Sequence, residues 1–306
     1  MLQLVSDEQI AASLQFSAVS ASIERAFAAL AAGRAAIKPR LRIDCGPVKL
    51  SSMGAIWLDA GLALEKVYPT VNGQFGFVLN LFDTATGQPL AVMQGQALTR
   101  VRTPALTALA ARHGSVNPRK LAVFGAGLQG RAHVEALVEA LPLQQVDVVD
   151  LADVSTWCAE VSQQLGVPVR QCAAEAALDG ADVVVTATRA KTPLFDGRRL
   201  KPGAFVAAVG ISLPTGRELD DHTLARAARV VVEWKPQSLL EAGEVVLGRQ
   251  AGVVHDDERL VDMREIAAGQ AVWRQSPDEV VVFKSVGVGL TDLAAAALVW
   301  ERLKAS

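Results

Sequence analysis

The sequence predicts an α/β fold in two domains, and three of its features lead to this prediction. The chain has 306 residues, which is more than one hydrophobic core usually organises. Residues 40–93 alternate apolar and polar side chains between turn residues, a pattern typical of an antiparallel sheet. After residue 118 strand and helix patterns alternate, which predicts a parallel sheet wrapped by helices through right-handed crossovers.

The N-terminal segment, residues 6–30, is predicted to be helical. Ser6 is a residue type that caps helices. Ile23, Phe27 and Leu30 recur at a spacing that places them on one helix face. We therefore expect a helical region ahead of the antiparallel sheet.

A strand, a turn and two further helices are predicted for the first domain. Residues 75–82 form a strand-like run, and the turn residues 83–87 follow it. A helix is predicted over residues 103–112, with Pro104 in its first turn, where a missing N–H does no harm. A final helix, residues 291–304, is expected to pack back on this domain.

Strands and helices alternate in the second domain. The predicted strands are residues 121–124, 146–149, 183–187, 205–209 and 230–232. The predicted helices are residues 128–141, 155–165 and 173–178. This alternation is the pattern of a doubly wound parallel sheet.

A glycine-rich turn lies between the first strand and the first helix of this second domain. Gly125 permits a tight turn, Gly127 lets the backbone approach a pyrophosphate, and Gly130 permits close packing of the helix on the strand. The phosphates would then lie at a helix N-terminus, which favours anions. We expect cofactor contacts along the whole turn: Gly125, Ala126, Gly127, Leu128, Gln129 and Gly130.

The context of the turn predicts a Rossmann-type dinucleotide-binding domain. A strand precedes the glycines, a helix follows them, and the second strand ends at Asp150. A carboxylate there accepts hydrogen bonds from a ribose diol and repels a 2′-phosphate, so NAD(H) is favoured over NADP(H). The alternative interpretation of Asp150 is a helix cap or loop carboxylate.

Composition and residue spacing exclude several other classes of function. The formal net charge is −2 and charges of both signs are interspersed, which argues against nucleic acid or a membrane surface as a partner. The start lacks the order of a signal peptide, and Cys45, Cys158 and Cys172 are too scattered for a disulfide framework, so a cytoplasmic location is expected. The four histidines form no i, i+4 pair, and no metal site is predicted.

The chain resembles the ornithine cyclodeaminase/mu-crystallin family over nearly its whole length. The segments that carry the resemblance are residues 98–103, the glycine turn with Gln129 and His133, residues 181–188, 201–203, 208–210 and 217–220, and residues 283–287 with Asp292. The resemblance implies a homodimer and a split α+β substrate and dimerisation domain, residues 1–114 with 287–306. It places the NAD(P)-binding Rossmann domain at residues 115–286.

Three cations are candidates for binding a substrate carboxylate. Arginine offers a planar fork for a carboxylate and lysine a point charge. Arg40, Lys66 and Arg102 fall where the family has its substrate-carboxylate cations, whereas without the resemblance a solvated charge is the ordinary interpretation of each. Lys66 lies in an apolar segment and would serve in proton transfer if burial lowers its pKa.

The sequence departs from the cyclodeaminases at two positions. Ser212 stands where those members have an aspartate thought to act in proton transfer, whereas the imine-reducing branch resembles this chain in having serine. Gln74 stands where the ornithine-cyclising members have a threonine among their substrate contacts. Lys66 and Ser212 are the candidate catalytic residues, and Gln74 is a candidate substrate contact.

Further cofactor contacts are expected beyond the glycine turn. Thr188 and Val209 follow consecutive strands and should border the nicotinamide. The resemblance implies contacts from Thr103, Gly210 and Ser285. For Thr188 and Ser285, ordinary loop capping is the alternative.

The resulting hypothesis is an NAD(P)H-dependent oxidoreductase acting on an amino acid or imino acid. A hydride would move between nicotinamide and the α-carbon, as in a ketimine reductase or an amino-acid dehydrogenase. The first alternative is an ornithine cyclodeaminase, an ammonia-lyase that makes proline with bound NAD. The second is a non-catalytic protein that binds NAD(P)H.

Overall fold

The computed structural model describes residues 2–255 and 258–305. The chain folds into two compact units. Unit 1 is Met1–Leu106 with Gly287–Ser306, and unit 2 is Thr107–Val286. The first boundary falls inside a helix, whereas the sequence-based division placed it after residue 114.

Unit 1 combines a mixed sheet with helices from the N-terminal and the C-terminal parts of the chain. Its elements are β1 (Gln3–Val5), α1 (Asp7–Ser13), α2 (Phe16–Ala31), β2 (Ala35–Cys45), β3 (Val48–Trp57), β4 (Leu62–Val71), β5 (Gln74–Phe75), β6 (Val78–Asp83), β7 (Pro89–Gln94), α3 (Gln96–Gly114) and α11 (Gly289–Ala305), with a 3₁₀ turn at Leu58–Ala60. The helix α3 crosses into unit 2.

The sheet of unit 1 confirms the predicted antiparallel region. Its strand order is β1-β7-β6-β4-β3-β2, with β5 paired to β4, and only β1 and β7 run parallel among the pairs. The strand predicted over residues 75–82 is interrupted at residues 76–77. A tight hairpin at Asn72 and Gly73, both at positive φ, pairs β5 with β4. The chain leaves this hairpin at residues 76–77 and continues in the sheet as β6.

The two faces of this sheet differ in what they contact. Met53, Lys66 and Leu79 are cross-strand partners and therefore share one face, which we call the core face. Strands β3 and β4 contact α11, and α2 contacts β2 and β3. The core face is buried beneath these helices.

The opposite face, which we call the outer face, carries several exposed apolar side chains beside the Lys38–Glu65 ion pair. Leu41 is 58% exposed and Ile43 is 68% exposed. The pairing of β2, β3, β4 and β6 puts further exposed apolar side chains on the same face: Val48, Leu50, Val71 and Val78.

The predicted N-terminal helical region is two helices. Ser6 caps α1 in a capping box with Gln9, in which the Ser6 amide donates to Gln9 Oε1 at 2.9 Å. The helix α1 ends at Ser13 and α2 starts at Phe16. The predicted apolar face is present on α2, where Ile23 and Phe27 are buried.

The prediction that Pro104 lies in a first helical turn was wrong. Helix α3 begins at Gln96, so Pro104 lies inside it. A proline there cannot donate to the carbonyl four residues earlier, a cost that packing must offset. Leu98, Ala105 and Leu106 are fully buried on both sides of the proline, and this tertiary packing overrides the local preference.

Unit 2 is the predicted parallel sheet with helices. Its elements are β8 (Lys120–Phe124), α4 (Leu128–Ala140), β9 (Gln145–Val149), α5 (Ser155–Leu165), β10 (Val169–Gln171), α6 (Ala174–Leu178), β11 (Val183–Thr186), β12 (Phe205–Ala208), α7 (Asp221–Arg226), β13 (Ala227–Val232), α8 (Lys235–Glu241), α9 (Gly243–Gln250), β14 (Leu260–Asp262), α10 (Met263–Ala267) and β15 (Val280–Lys284). A 3₁₀ turn covers Gly197–Arg199.

In the described part of unit 2, the sheet has eight parallel strands in the order β10-β9-β8-β11-β12-β15-β13-β14. The order reverses around β8, as in a Rossmann fold, because β9 and β11 lie on its two sides. Every residue of β15 is buried, since the strand lies between β12 and β13. The α/β class predicted from the sequence is therefore confirmed.

Candidate active site

Two cations of unit 1 converge on one carboxylate. Lys66 of β4 has its Nζ 2.9 Å from Asp292 Oδ1, and Arg102 of α3 has its Nε 3.2 Å from the same oxygen. Asp292, on α11, is fully buried. The strand, the helix α3 and α11 thus each contribute one charged side chain to a single buried cluster.

Arg40 joins this cluster through the backbone at Gly287. Its Nη2 donates to Gly287 O at 2.8 Å and lies 3.5 Å from Met53 Sδ. A Cβ at Gly287 would lie 3.1 Å from Arg102 Nη2 and 3.4 Å from Arg40 Nη2, and its φ of +77° also disfavours a side chain. Gly287 therefore leaves room for both guanidinium groups. We call Arg40, Lys66, Arg102 and Asp292 the cation cluster.

Lys66 lies in an environment that weakens its charge. Its side chain is 1% exposed, its Nζ donates to Thr99 Oγ1 at 2.9 Å, and the Phe77 ring centroid lies 3.9 Å from the Nζ. Burial lowers the pKa of Lys66 to about 8; Asp292 opposes this shift, and Arg102 and Arg40 add to it. Lys66 can therefore gain or lose a proton near neutral pH.

Sequence reasoning used Asp292 only as a mark of family resemblance and assigned it no role in the site. Burial acts to raise the pKa of this carboxyl, but Arg102 and Lys66 together hold it below its ordinary value. It is therefore ionised and compensates part of the positive charge around it. The available signal was an acidic residue within an apolar helix, where an unpaired charge would be costly.

Gln74 is not brought to the cation cluster. It is exposed on β5 and pairs with Val71, which places it on the outer face, opposite Lys66. Thr103 is buried on α3, where its Oγ1 donates to Thr99 O at 3.1 Å. In unit 1, the structure thus joins three of the predicted substrate contacts and leaves Gln74 apart.

The glycine turn of unit 2 has the geometry that anion binding requires. Gly125 has a φ of +95°, and its amide donates to Val149 O at 2.8 Å. A Cβ at Gly130 would overlap Gly125 O, so only glycine permits this approach of α4 to the turn. Gly127 caps α4 without a side-chain hydrogen bond, and the space around its α-carbon is open. The first turn of α4 can therefore bind a phosphate.

Asp150 connects the glycine turn to the end of β9. Its Oδ2 accepts from the Ala126 amide at 2.6 Å, and its Oδ1 accepts from the Ala152 amide at 2.9 Å. A carboxylate has about four acceptor sites, so both oxygens retain capacity for a ribose diol. Leu128 and Leu151 expose apolar side chains beside this carboxylate. These residues fit a dinucleotide.

Glu218 braces the loops that follow β11 and β12. Its Oε1 accepts from the Thr188 amide at 2.8 Å and from Thr188 Oγ1 at 2.7 Å. Its Oε2 accepts from Thr186 Oγ1 and from the Gly210 amide, each at 2.9 Å. The carboxylate is fully buried, so these four bonds fix the two loops. Sequence reasoning used Glu218 only as a mark of family resemblance.

The remaining predicted residues of unit 2 lie at the same ends of the strands. The Val209 amide donates to Thr186 O at 2.9 Å, and the Ser285 amide donates to Ala208 O at 3.1 Å. Ser212 follows β12, and its Oγ donates to Val286 O at 3.3 Å. In open α/β sheets, ligands bind outside the carboxyl ends of the strands.

Comparison with known proteins adds the family. The model of the ornithine cyclodeaminase/mu-crystallin family matches residues 2–306. The chain belongs to this family. A relative within the family, the Delta(1)-pyrroline-2-carboxylate reductase of Bacillus cereus (strain ATCC 10987 / NRS 248), is 32% identical over 237 residues, which cover 76% of this chain and 71% of that protein.

Two solved structures are similar over the whole chain. A probable ornithine cyclodeaminase from Bordetella pertussis Tohama I matches with a TM-score of 0.95 and 41% identity, covering 100% of this chain and 98% of that one. The Delta(1)-pyrroline-2-carboxylate reductase of Thermococcus litoralis, in complex with NADH and L-proline, matches with a TM-score of 0.93 and 27% identity, with the same coverage. Both relatives share the fold of the ornithine cyclodeaminase/mu-crystallin family found here.

The described part of the chain offers neither a metal site nor a membrane-spanning helix. Within residues 2–255 and 258–305, no three His, Cys, Asp or Glu side chains form a group that could hold a metal ion. None of the helices in those two ranges combines the length and apolar composition that a bilayer-spanning segment needs.

Replacing Glu218 with glutamine is expected to raise the Kd for NADH by about 10- to 100-fold. All four partners of Glu218 donate to its carboxylate, whereas the glutamine side chain would point an NH₂ group at some of them. About one or two of these donors would then lose their acceptor, at a cost of roughly 1–3 kcal/mol each. NADH fluorescence titration measures the Kd. The exposed Glu160→Gln variant is the matched control and should bind like wild type. An unchanged Kd for the Glu218→Gln variant would contradict the bracing role.

Proposed function

We propose that this protein is an NADH-dependent imine reductase, which reduces the imine of a 2-oxo acid to the amino acid. The observation that carries the proposal is the cation cluster, in which Lys66 and Arg102 contact buried Asp292 and Arg40 lies beside them at Gly287. Asp292 compensates the charge of one of these three cations. The other two are left to bind the carboxylate of a substrate. The names of the relatives, pyrroline-2-carboxylate reductases, support an imine with that group.

The cation cluster supplies binding and a proton. Arg40 and Arg102 present guanidinium forks that match a carboxylate. Lys66 donates a proton from its Nζ to the imine nitrogen: an N–H bond of the lysine breaks, an N–H bond of the substrate forms, and the resulting iminium carbon becomes a better electrophile. The electron pair of the C=N π bond then moves to nitrogen as the carbon is reduced.

The residues of unit 2 hold the dinucleotide in this proposal. Bound NADH supplies a hydride from C4 of its nicotinamide. The first turn of α4, at Gly127, Leu128 and Gln129, binds the pyrophosphate, and Asp150 accepts hydrogen bonds from the ribose diol. We also assign Thr188, Val209, Gly210 and Ser285 to contacts with the cofactor.

Ornithine cyclodeamination is the second candidate, and the similarity to the Bordetella pertussis protein favours it. Ser212 weighs against it, because its hydroxyl donates to the carbonyl of Val286 and offers no carboxylate for the proton transfers of ring closure. A protein that binds NADH without turnover is the remaining alternative. Retention of the three cations around Asp292 favours an enzyme over it.

We also propose that the protein is a homodimer in the cytoplasm. The outer face of the unit 1 sheet, with Leu41, Ile43 and Leu50, is the surface we assign to the second copy. Burying it would remove these exposed apolar side chains from water. Cys45, Cys158 and Cys172 are free thiols, which suits a reducing compartment.

The test of the proposed function is NADH oxidation with defined imines. Pyrroline-2-carboxylate and piperideine-2-carboxylate should be reduced to proline and pipecolate, with one NADH consumed per product. With ornithine and NAD alone, neither proline nor ammonia should be formed. Proline formation from ornithine without net NADH would favour the cyclodeaminase, and absence of turnover with every imine would contradict the proposal.

A further inference from the structure

The cation cluster carries more positive charge than its own carboxylate balances. Lys66 is surrounded by three charged groups from three elements: Asp292 of α11, Arg102 of α3 and Arg40 of β2. Thr99 and the Phe77 ring, its other neighbours, are uncharged. The guanidinium groups stay protonated at any physiological pH. Lys66 is therefore the cation of the cluster that can adjust its charge.

A simple count gives the effect of an incoming carboxylate. With Lys66 neutral, Arg40 and Arg102 against Asp292 leave a charge of +1. A protonated Lys66 raises this to +2, which is disfavoured because Lys66 itself is buried. Adding one substrate carboxylate to the protonated cluster returns the charge to +1. The cluster therefore keeps the same charge when a carboxylate and a proton arrive together.

We propose that binding of the substrate carboxylate to the cation cluster is coupled to uptake of a proton by Lys66. The substrate's acid group thereby charges the residue that donates a proton to its nitrogen. This inference rests on the proposed function, since it assigns the carboxylate and the imine to the same ligand.

The coupling has a defined pH range. Burial lowers the pKa of free Lys66 to about 8, and a nearby carboxylate raises the pKa again. Below this pH Lys66 is already protonated, so binding takes up no further proton. Above it, affinity for the carboxylate should fall by up to about tenfold per pH unit, because each binding event must also draw a proton from solution.

The experiment is calorimetric titration of the NADH-loaded protein with cyclopent-1-ene-1-carboxylate. This planar acid has the shape of pyrroline-2-carboxylate but no nitrogen, so it neither titrates between pH 7 and 9 nor accepts a hydride. Binding enthalpies in buffers of different ionisation enthalpy give the protons taken up. We expect about half a proton per site at pH 8 and about a tenth at pH 7.

Two variants identify the group that takes up the proton. Lys66→Arg keeps a positive charge that does not titrate, so it should bind the acid with no proton uptake at pH 8. Lys49→Arg, on the same sheet but partly accessible to solvent, is the matched control and should keep the wild-type value. Proton uptake that persists in Lys66→Arg would overturn the inference.

The outcomes separate this inference from the proposed function. Wild-type binding without proton uptake at pH 8, or failure of the acid to bind, overturns the coupling. Reduction of pyrroline-2-carboxylate by the same preparation is measured in parallel. If reduction is intact, only the coupling is lost, and if reduction is also absent, the proposed function is contradicted as well.

Discussion

The Asp292→Asn variant should lose about 3 kcal/mol of its free energy of unfolding at pH 7, the cost typical of breaking a buried ion pair. Asparagine keeps the shape of the side chain but removes the negative charge, so Lys66 and Arg102 remain buried without their shared carboxylate. Urea unfolding measures the loss. An unfolding free energy equal to that of wild type would contradict the role given to Asp292.

The loss in Asp292→Asn should shrink as the pH rises. Burial lowers the pKa of Lys66 to about 8, below its value in the unfolded chain. At pH 9 Lys66 is largely neutral in the folded wild type, so less of the attraction to Asp292 remains to be removed. Unfolding at pH 7 and pH 9 tests this sign. The Asp44→Asn variant, which removes an exposed carboxylate near Lys49, is the control and should unfold like wild type at both pH values.

The Gly130→Ala variant should bind NADH much more weakly than wild type, with a Kd raised by at least about 100-fold. Its Cβ would overlap the Gly125 carbonyl oxygen, so the turn and α4 must separate. Such overpacking also destabilises the fold, by about 1–3 kcal/mol. Fluorescence titration with NADH and urea unfolding measure the two effects.

Gly127→Ala separates cofactor binding from stability at the same turn. The space around the Gly127 α-carbon is open, and its φ of −72° suits alanine, so the fold should be as stable as wild type. The added methyl group projects from the backbone that the pyrophosphate is proposed to approach, so NADH affinity should still fall. Wild-type affinity in Gly127→Ala would contradict the assignment of this turn to the pyrophosphate.

Patterns with a local physical cause were predictable from the sequence. The helix α5 has the predicted bounds of residues 155–165, and the Ser6 cap is present as a capping box. The glycine turn was predicted from the need for a tight turn at Gly125 and for close helix packing at Gly130. The structure has a positive φ at Gly125 and no room for a Cβ at Gly130. In each case one or two neighbouring residues determine the geometry.

Features that depend on distant segments were not predictable. The strand β15 is a short apolar run that periodicity alone cannot distinguish from a buried helix. Pro104 lies inside α3 because tertiary packing overrides its local preference. Gln74 is on the outer face because a hairpin sets the register of β5. A sequence read position by position contains none of this pairing information.

The three cations of the cluster could be selected from the sequence, but the carboxylate that neutralises part of their charge, Asp292, could not. The roles proposed for Arg40, Lys66 and Arg102 stay predictions until binding is measured, although the structure brings the three together. Asp292 lies 226 residues from Lys66, so no spacing rule relates the two. Only the packing of α11 on the sheet makes them neighbours.

The discontinuous composition of unit 1 has a consequence for biosynthesis. On the ribosome, residues 2–106 emerge long before α11, with the whole of unit 2 translated in between. Until α11 arrives, the nascent sheet has an uncovered apolar side and Lys66 has no anionic neighbour from Asp292. Unit 2 is contiguous and can fold first, whereas the cation cluster is complete only after synthesis has passed residue 292. Chaperone protection of the early segment is the expected requirement of such an order.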